Sequence, residues 1–398
     1  MLIFDGIRSA FGRSAGSLAT VRPDDLAGEI ISGLLARGHT DPALIEDVVL
    51  GCSNQAGEDS RNIARHAALL AGMPVSVPGV TVNRLCGSGL AAIIDAGARA
   101  ASGSGDLFIA GGVESMSRGP FAFAKAETPF SRKIRVFDTS MGERFPNPRI
   151  TELYGDDSMP QTAENVARLH NITRQASDAF ALQSQVRYHE AEAVGFFTEE
   201  IHPVTLPARR RTSAQVISTD EHPRPESTAE GLAALNPLFP DGVVTAGSAS
   251  GVSDGAVALL IGNERAAENT GIKPRARLLA HAVAGVEPRL MGLGPVPAIN
   301  KALGWAGLTL ADMDVIEINE AFSAQVLGCL DALSLDATDP RINPNGGAIA
   351  LGHPLGASGA RLVLTALREL ERRDAHRAVV AMCIGVGQGI AAVIERST

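Results

Sequence analysis

Gly79-Val80-Thr81-Val82-Asn83-Arg84-Leu85-Cys86-Gly87-Ser88-Gly89 opens a segment that runs through small residues at 90–101 to Leu107-Phe108-Ile109-Ala110-Gly111-Gly112. Four β-prone residues, a glycine-flanked turn, a helix of small residues and a second apolar strand read as a strand–helix–strand unit. Upstream, a helix over 25–37 precedes a strand over 47–50. Strands alternating with helices predict an α/β fold with mixed or parallel sheets covered by helices.

The second half of the chain repeats this order. A helix over 298–305 precedes a strand over 314–317. A glycine-rich segment ends in Ala357-Ser358-Gly359, a helix follows over 360–372, and a strand over 378–381 runs into Gly385-Val386-Gly387. The two Ser-Gly steps stand at matching places before matching strands, so the chain contains one unit twice. Residues from about 118 to 244 break the pattern with scattered Pro, Gly, Arg and acidic residues at 146–149 and 202–225. One amphipathic helix is expected within, with Ala179, Leu182, Val186 and His189 on one face. The expected division is a first half over 1–118 completed by 245–272, an inserted loop domain over 119–244, and a second half over 273–398. Loop-rich insertions commonly carry specificity.

Composition narrows the function. The 398 residues are 45% hydrophobic and 20% charged, which suits two or three globular domains and excludes a disordered chain. With 35 Lys+Arg against 44 Asp+Glu the net charge is −9, so a general nucleic-acid binder, which needs a basic surface, is not expected. No apolar run is long enough to span a membrane, and the N-terminus shows no signal-peptide pattern. Four cysteines in a chain this long are expected as reduced thiols in a cytoplasmic setting.

Two of those cysteines stand where chemistry is possible. Cys86 lies at a strand-to-helix turn, where a helix N-terminus favours a thiolate. Gly87 and Gly89 allow another molecule to approach closely. Cys383 ends the last apolar strand before three alternating glycines. His353, between Gly352 and Pro354, is held in a loop before a helix and could serve as base for a thiol. Asn319, at the end of an apolar strand, could hold a water or polarise a carbonyl. Taken singly, each has a bland alternative: a buried cysteine, a turn-capping histidine, a turn asparagine. Gly87-Ser88-Gly89-Leu90-Ala91-Ala92 nearly spells a dinucleotide fingerprint, but the acidic residue expected at the end of the next strand is missing. The remaining histidines show no metal-ligand spacing, and no metal is expected.

Together these motifs resemble the thiolases, enzymes that cleave or form 3-oxoacyl-CoA. The resemblance spans nearly the whole chain. It rests on Asn83-Arg84-Leu85-Cys86-Gly87-Ser88-Gly89, Gly111-Gly112-Val113-Glu114-Ser115-Met116-Ser117, Asn319-Glu320-Ala321-Phe322, Asn345-Gly346-Gly347 with Gly352-His353-Pro354, and Cys383-Ile384-Gly385. It implies a five-layered α/β/α/β/α sandwich of two βαβαβαββ halves with an inserted loop domain. It further implies Cys86 as acyl-accepting nucleophile and His353 as its base and an oxyanion donor. Asn319 would hold the water that completes that oxyanion hole. Cys383 would be the acid/base for the departing acetyl-CoA carbanion, and the N–H groups of Cys86 and Gly385 a second oxyanion hole. Arg224 and Ser250 would contact CoA, and Met159 would line the pantetheine pocket. CoA is then a substrate, with no tightly bound cofactor, and the assembly a homodimer or homotetramer.

The chain departs from common family patterns at Ser248, at Val386 within the usual glycine triplet, and at Ser158-Met159-Pro160. Those last two, with residues 51–59 and 291–297, are most similar to degradative members acting on β-ketoadipyl-CoA in bacterial aromatic catabolism. Acetoacetyl-CoA or fatty 3-ketoacyl-CoA cleavage is the alternative, and a non-catalytic acyl-CoA carrier the alternative of another class. A β-ketoadipyl group would bring a distal carboxylate, which needs a cation or several donors. Arg132, Lys133, Arg135, Arg144 and Arg149 are the expected pool.

Overall fold

A computed structural model of the chain describes residues 1–208 and 213–397; part of the expected insertion, 209–212, lies outside them. The main sheet runs in the order Val315–Ile318, Arg377–Ile384, Gln388–Arg396, Ala276–Gly285, Leu2–Arg8, Ser253–Gly262, Leu107–Ser115, Asp47–Gly51, Gly79–Val82. The strands of the two halves meet at the pairs Leu2–Arg277 and Ile3–Ala276. Within each half the crossover strands are parallel and the later strands antiparallel. The halves differ at one edge. Where the first has the strand Gly79–Val82, the second has an isolated parallel bridge between Ile316 and Ile342.

Three large apolar clusters hold five layers together, the central one covering both faces of the middle layer. Helices Pro23–Arg37 and Ile63–Leu70 bury Leu26, Ile30, Ile31 and Ala67 against Phe4, Leu50 and Leu260. On the far side, Pro295–Ala306 and Ser323–Ala332 bury Ile299, Leu303 and Leu330 against Ile318, Val379 and Val393. Between the two sheets lie helices Ser88–Ser102 and Leu355–Arg373. Their Leu90, Ile93, Val363 and Leu367 pack against Val257 and Leu259 of one half and Met382 and Ile390 of the other. This is the expected α/β/α/β/α order.

The central helices meet at their N-terminal turns, where the Ser-Gly steps let the backbones touch. A Cβ on Gly89 would lie 2.5 Å from the Gly356 carbonyl oxygen, and one on Gly359 would lie 2.5 Å from the Leu90 nitrogen. Cys86 and His353 each stand two residues before one of these helices, so the crossing places both at the same end of the helix pair.

The intervening segment leaves strand Leu107–Ser115 and returns in its antiparallel neighbour Ser253–Gly262. It holds two small hairpins and the helices Met159–Leu169 and Arg174–Ala193. The second is the expected amphipathic helix, but its inner face is not the expected one. Ala179, Val186 and His189 are exposed and Leu182 half-buried, whereas Phe180, Ala181, Ser184, Gln185 and Tyr188 are buried. Apolar spacing misled because this face buries polar side chains that are bonded. Ser184 Oγ donates to Glu320 Oε2 at 2.6 Å, and Gln185 Oε1 accepts from the Arg224 N–H at 2.8 Å.

Candidate active site

Cys86 sits in the turn between Gly79–Val82 and Ser88–Ser102. The turn is fixed by Asn83, whose Nδ2 donates to the Ser53 carbonyl at 3.0 Å and whose Oδ1 accepts from the Leu85 N–H at 2.9 Å. Ser88 closes it, accepting from the Arg84 N–H at 2.9 Å and donating to the Leu85 carbonyl at 2.6 Å. The backbone N–H groups of Gly385 and of Cys86 itself bond the Cys86 sulfur. These are the two groups expected to form an oxyanion hole, one from each half. Leu85 and Val386, on either side of this contact, both hold positive φ, +46° and +63°. For a β-branched residue that is strained backbone.

The expectation of a low thiol pKa at Cys86 is not met. The helix begins at Ser88, beyond the sulfur. Desolvation outweighs the two N–H bonds and pushes the thiol up to about 11. Cys383, 2% exposed, packs with Ala163, Val244, Met291 and Phe322. Burial raises its pKa well above the ordinary value, and the neighbouring Cys86 adds to the rise. Both cysteines therefore rest as thiols.

His353 is buried, and desolvation, helped by the Arg361 cation, lowers it to about 3. It rests neutral, and the hydrogen-bond network assigns its tautomer. Ser358 Oγ donates to the Pro354 carbonyl at 2.9 Å, so at 2.6 Å it accepts from His353 Nδ1–H. Nε2 then carries the lone pair and faces Asn319 Nδ2, a donor at 3.4 Å. Asn319 is fully buried, and its own N–H donates to the carbonyl of Ala381, two residues before Cys383, at 2.9 Å. Its Oδ1 has no partner among the described residues. The following residue, Glu320, is anchored by Ser184, Asn343 at 2.9 Å and the Ile349 N–H at 3.1 Å.

Of the three expected CoA contacts, Ser250 and Met159 lie beside residues of this centre. The Ser250 N–H donates to the Ala321 carbonyl at 3.0 Å, and Ala249 bridges Phe322. Met159 is exposed, its sulfur 3.9 Å from where a Cβ on Gly385 would stand. Arg224 is exposed. Of the five expected cations, Arg135 lies over the Phe137 ring, and Arg144 donates to the carbonyls of Thr139 and Asn54. Arg132, Lys133 and Arg149 are exposed.

Sequence reasoning passed over three supports. In the sequence Ser358 reads only as part of a helix start, and His222 as one histidine without metal-ligand spacing. Glu114 stood within a motif without a role. Its carboxylate accepts from Ser53 Oγ at 2.7 Å and from the N–H groups of Ser53, Asn54 and Gly356 at 3.0, 3.0 and 2.8 Å. It thereby ties the loop beside Cys86 to the helix after His353. Glu114, Cys52 and Asp59 have ligand-type atoms within 4.8 Å of one another. The donors already on Glu114, Cys52 Sγ at 3.9 Å among them, make the group a structural anchor.

Two thiols and a neutral imidazole, converging where two pseudo-equivalent halves meet, form an arrangement suited to acyl transfer through cysteine. Residues 1–265 match the thiolase N-terminal domain and residues 272–396 the thiolase C-terminal domain. The chain belongs to the thiolase family and is an acyltransferase. It is 57% identical to the 3-oxoadipyl-CoA/3-oxo-5,6-dehydrosuberyl-CoA thiolase of Escherichia coli, over 99% of this chain and 98% of that protein. It is 53% identical to the β-ketoadipyl-CoA thiolase of Pseudomonas aeruginosa, over 100% and 99%. Human mitochondrial 3-ketoacyl-CoA thiolase in complex with CoA superposes with a TM-score of 0.92 at 39% identity, over 100% of this chain and 98% of that one.

Proposed function

We propose that the protein cleaves β-ketoadipyl-CoA with CoA to give succinyl-CoA and acetyl-CoA. The observation that supports this reading is the pairing of Cys86 with Cys383 and of Asn319 with His353 where the two halves meet, in a chain similar from end to end to relatives named for that substrate. His353 Nε2 takes the Cys86 proton as sulfur attacks the 3-oxo carbon. The bond between C2 and C3 breaks, leaving a succinyl thioester on Cys86 and the enolate of acetyl-CoA, which the Cys383 thiol protonates. The Cys383 thiolate then takes the proton of an incoming CoA, whose sulfur attacks the acyl-cysteine, and the released Cys86 thiolate recovers its proton from His353. Fixed N–H donors stabilise the oxyanions without reorganising. The Gly385 and Cys86 N–H groups serve one, and His353 with a water held by Asn319 serves the other. Arg224, Ser250 and Met159 line the CoA path, and CoA is a substrate rather than a tightly bound cofactor.

For the distal carboxylate we name Arg144, whose guanidinium reaches the carbonyl of Asn54 in the loop joined to Asn83. Among the described residues no helix is long and apolar enough to cross a membrane. With four free cysteines this supports a cytoplasmic setting. The test compares cleavage of β-ketoadipyl-, acetoacetyl- and long-chain 3-oxoacyl-CoA by the wild type and by Arg144→Met. The first substrate should be fastest, and the variant should raise KM for it alone. Far faster cleavage of either other substrate would overturn the dicarboxylate reading.

A further inference from the structure

The segment Asp220-Glu221-His222 belongs to the intervening region yet is fixed rigidly to the sheet. Asp220 accepts from Arg8 Nη1 and Nη2 at 2.7 and 2.9 Å, from the Phe11 N–H at 2.7 Å and from Tyr188 Oη at 2.8 Å. Arg8 is fully buried and also donates to Glu200 at 2.7 Å. Glu221 accepts from the N–H groups of Arg13 and Ser17, each at 3.0 Å. The backbone that carries His222 therefore has little freedom, and its side chain is aimed by this anchoring.

The half-buried His222 ring lies between two segments of the candidate site. A Cβ on Gly251 would collide with ring atoms Cε1 and Nδ1, and one on Gly352 would lie 2.5 Å from ring Cδ2. Gly251 follows Ser250, and Gly352 precedes His353. His222 Nε2 stands 2.9 Å from Ser253 Oγ. That fully buried hydroxyl donates to the Gly251 carbonyl at 2.7 Å and accepts from the His353 N–H at 2.9 Å. A hydroxyl has one proton and two lone pairs. With the proton on Gly251 and one lone pair on His353, the remaining lone pair accepts from His222 Nε2–H. The His353 amide, which also reaches the Gly251 carbonyl at 3.2 Å, is thus held at the shorter distance by a hydroxyl whose orientation His222 completes.

We infer that His222 is a positioning residue: through Ser253 it fixes the backbone of His353 and so the aim of the imidazole at Cys86. The inference rests on the reading of His353 as base for Cys86. It extends that reading to a side chain from a different part of the chain, reaching the site beside the expected CoA contacts Arg224 and Ser250. A shift of His353 by a fraction of an ångström would lower the rate of proton removal while leaving CoA binding in place.

The experiment measures three quantities in the full-length protein: alkylation of Cys86 by iodoacetamide, read as mass on the Cys86 peptide; kcat and KM for CoA; and Tm. His222→Leu keeps bulk but cannot donate, and should slow both alkylation and kcat by roughly tenfold or more, since small misplacements of catalytic groups are costly. KM for CoA should stay within about twofold of wild type, well short of a lost contact. His222→Gln, which can place an N–H near the same point, should restore most of the rate. Ser253→Ala removes the acceptor without touching His222 and should reproduce the loss, which keeps the test available if His222→Leu does not fold. Wild-type alkylation in His222→Leu, a Gln variant as slow as the Leu variant, or a rise in KM with kcat intact would overturn the inference. His353→Asn separates the two readings. If it alkylates at the wild-type rate, the base assignment itself falls. If it is slow while His222→Leu is not, only the positioning role falls.

Discussion

At the residue scale, the two thiols are distinguished by environment more than by chemistry. Cys86 is reached by two N–H groups and partly open, whereas Cys383 is closed among apolar side chains. Burial raises both, so neither is a standing thiolate, and each proton must move during the reaction. This makes the roles separable. Cys383→Ser should still accept an acyl group from acyl-CoA at Cys86, seen as one acyl mass on the Cys86 peptide. It should lose exchange of the acetyl-CoA α-protons with solvent, because a hydroxyl is a far weaker acid than a thiol. Wild-type exchange in that variant, followed by NMR in deuterated buffer, would refute the assignment. Val386 was legible in the sequence as an interruption of glycines. Its strain was not, because φ depends on the turn that holds Gly385 against Cys86.

At the element scale, the duplication was readable because each half keeps the same order of strand, Ser-Gly step, helix and strand. The crossing of the two central helices follows from those steps. Gly89→Ala places a methyl 2.5 Å from the Gly356 carbonyl and 3.0 Å from the Ala360 nitrogen, and backbone atoms of a buried helix cannot yield as a side-chain tip can. The expected loss is about 1–3 kcal/mol, with a fall in kcat because Cys86 and His353 ride on the separated helices. Gly304→Ala is the control. It sits in the helix Pro295–Ala306 with no atom within 4 Å, so it should stabilise by up to about 1 kcal/mol through helix propensity. Urea denaturation compares them, and equal effects would refute the packing argument. The inner face of Arg174–Ala193 was illegible for a physical reason. Apolar spacing identifies a face only when buried side chains are apolar, and Ser184 and Gln185 are buried because Glu320 and Arg224 meet them from distant positions in the chain. His222 escaped for the same reason, since its partners Ser253 and Gly352 are brought to it by the fold.

At the scale of the whole molecule, buried titratable groups set how stability depends on pH. His353 is lowered to about 3, and His222 and His281 are also lowered by burial. The unfolded chain binds these protons first, so their contribution is full above pH 6.5 and is lost as pH falls, for His353 down to about 3. Glu317, raised by burial to about 8, acts in the opposite sense. Its contribution is full below 4.5 and is lost as pH rises through 8. Denaturant titrations across this range should show Glu317→Gln gaining on the wild type as pH rises from 4.5 to 8, by at most about 1.4 kcal/mol per pH unit. A constant difference would refute the shift. Assembly is the remaining property of this scale. The hairpin of Phe121–Phe123 and Val136–Asp138 leaves Phe121 72%, Phe123 69%, Phe130 100% and Ile134 73% exposed. These are four large apolar side chains exposed on one hairpin and its loop, and exposed apolar surface of this kind marks an interaction site. Separately, strand Gly79–Val82 ends the sheet with a free edge beside the Cys86 turn, and open edges invite pairing with another chain. Two independent surfaces, each suited to a second copy, favour a dimer of dimers. Sedimentation at micromolar concentration should then show a tetramer for the wild type. The double substitution Phe123→Glu with Phe130→Glu should reduce it to a dimer, because the sheet edge is untouched. A wild-type monomer would refute both surfaces, and a doubly substituted tetramer would refute the role of the hairpin.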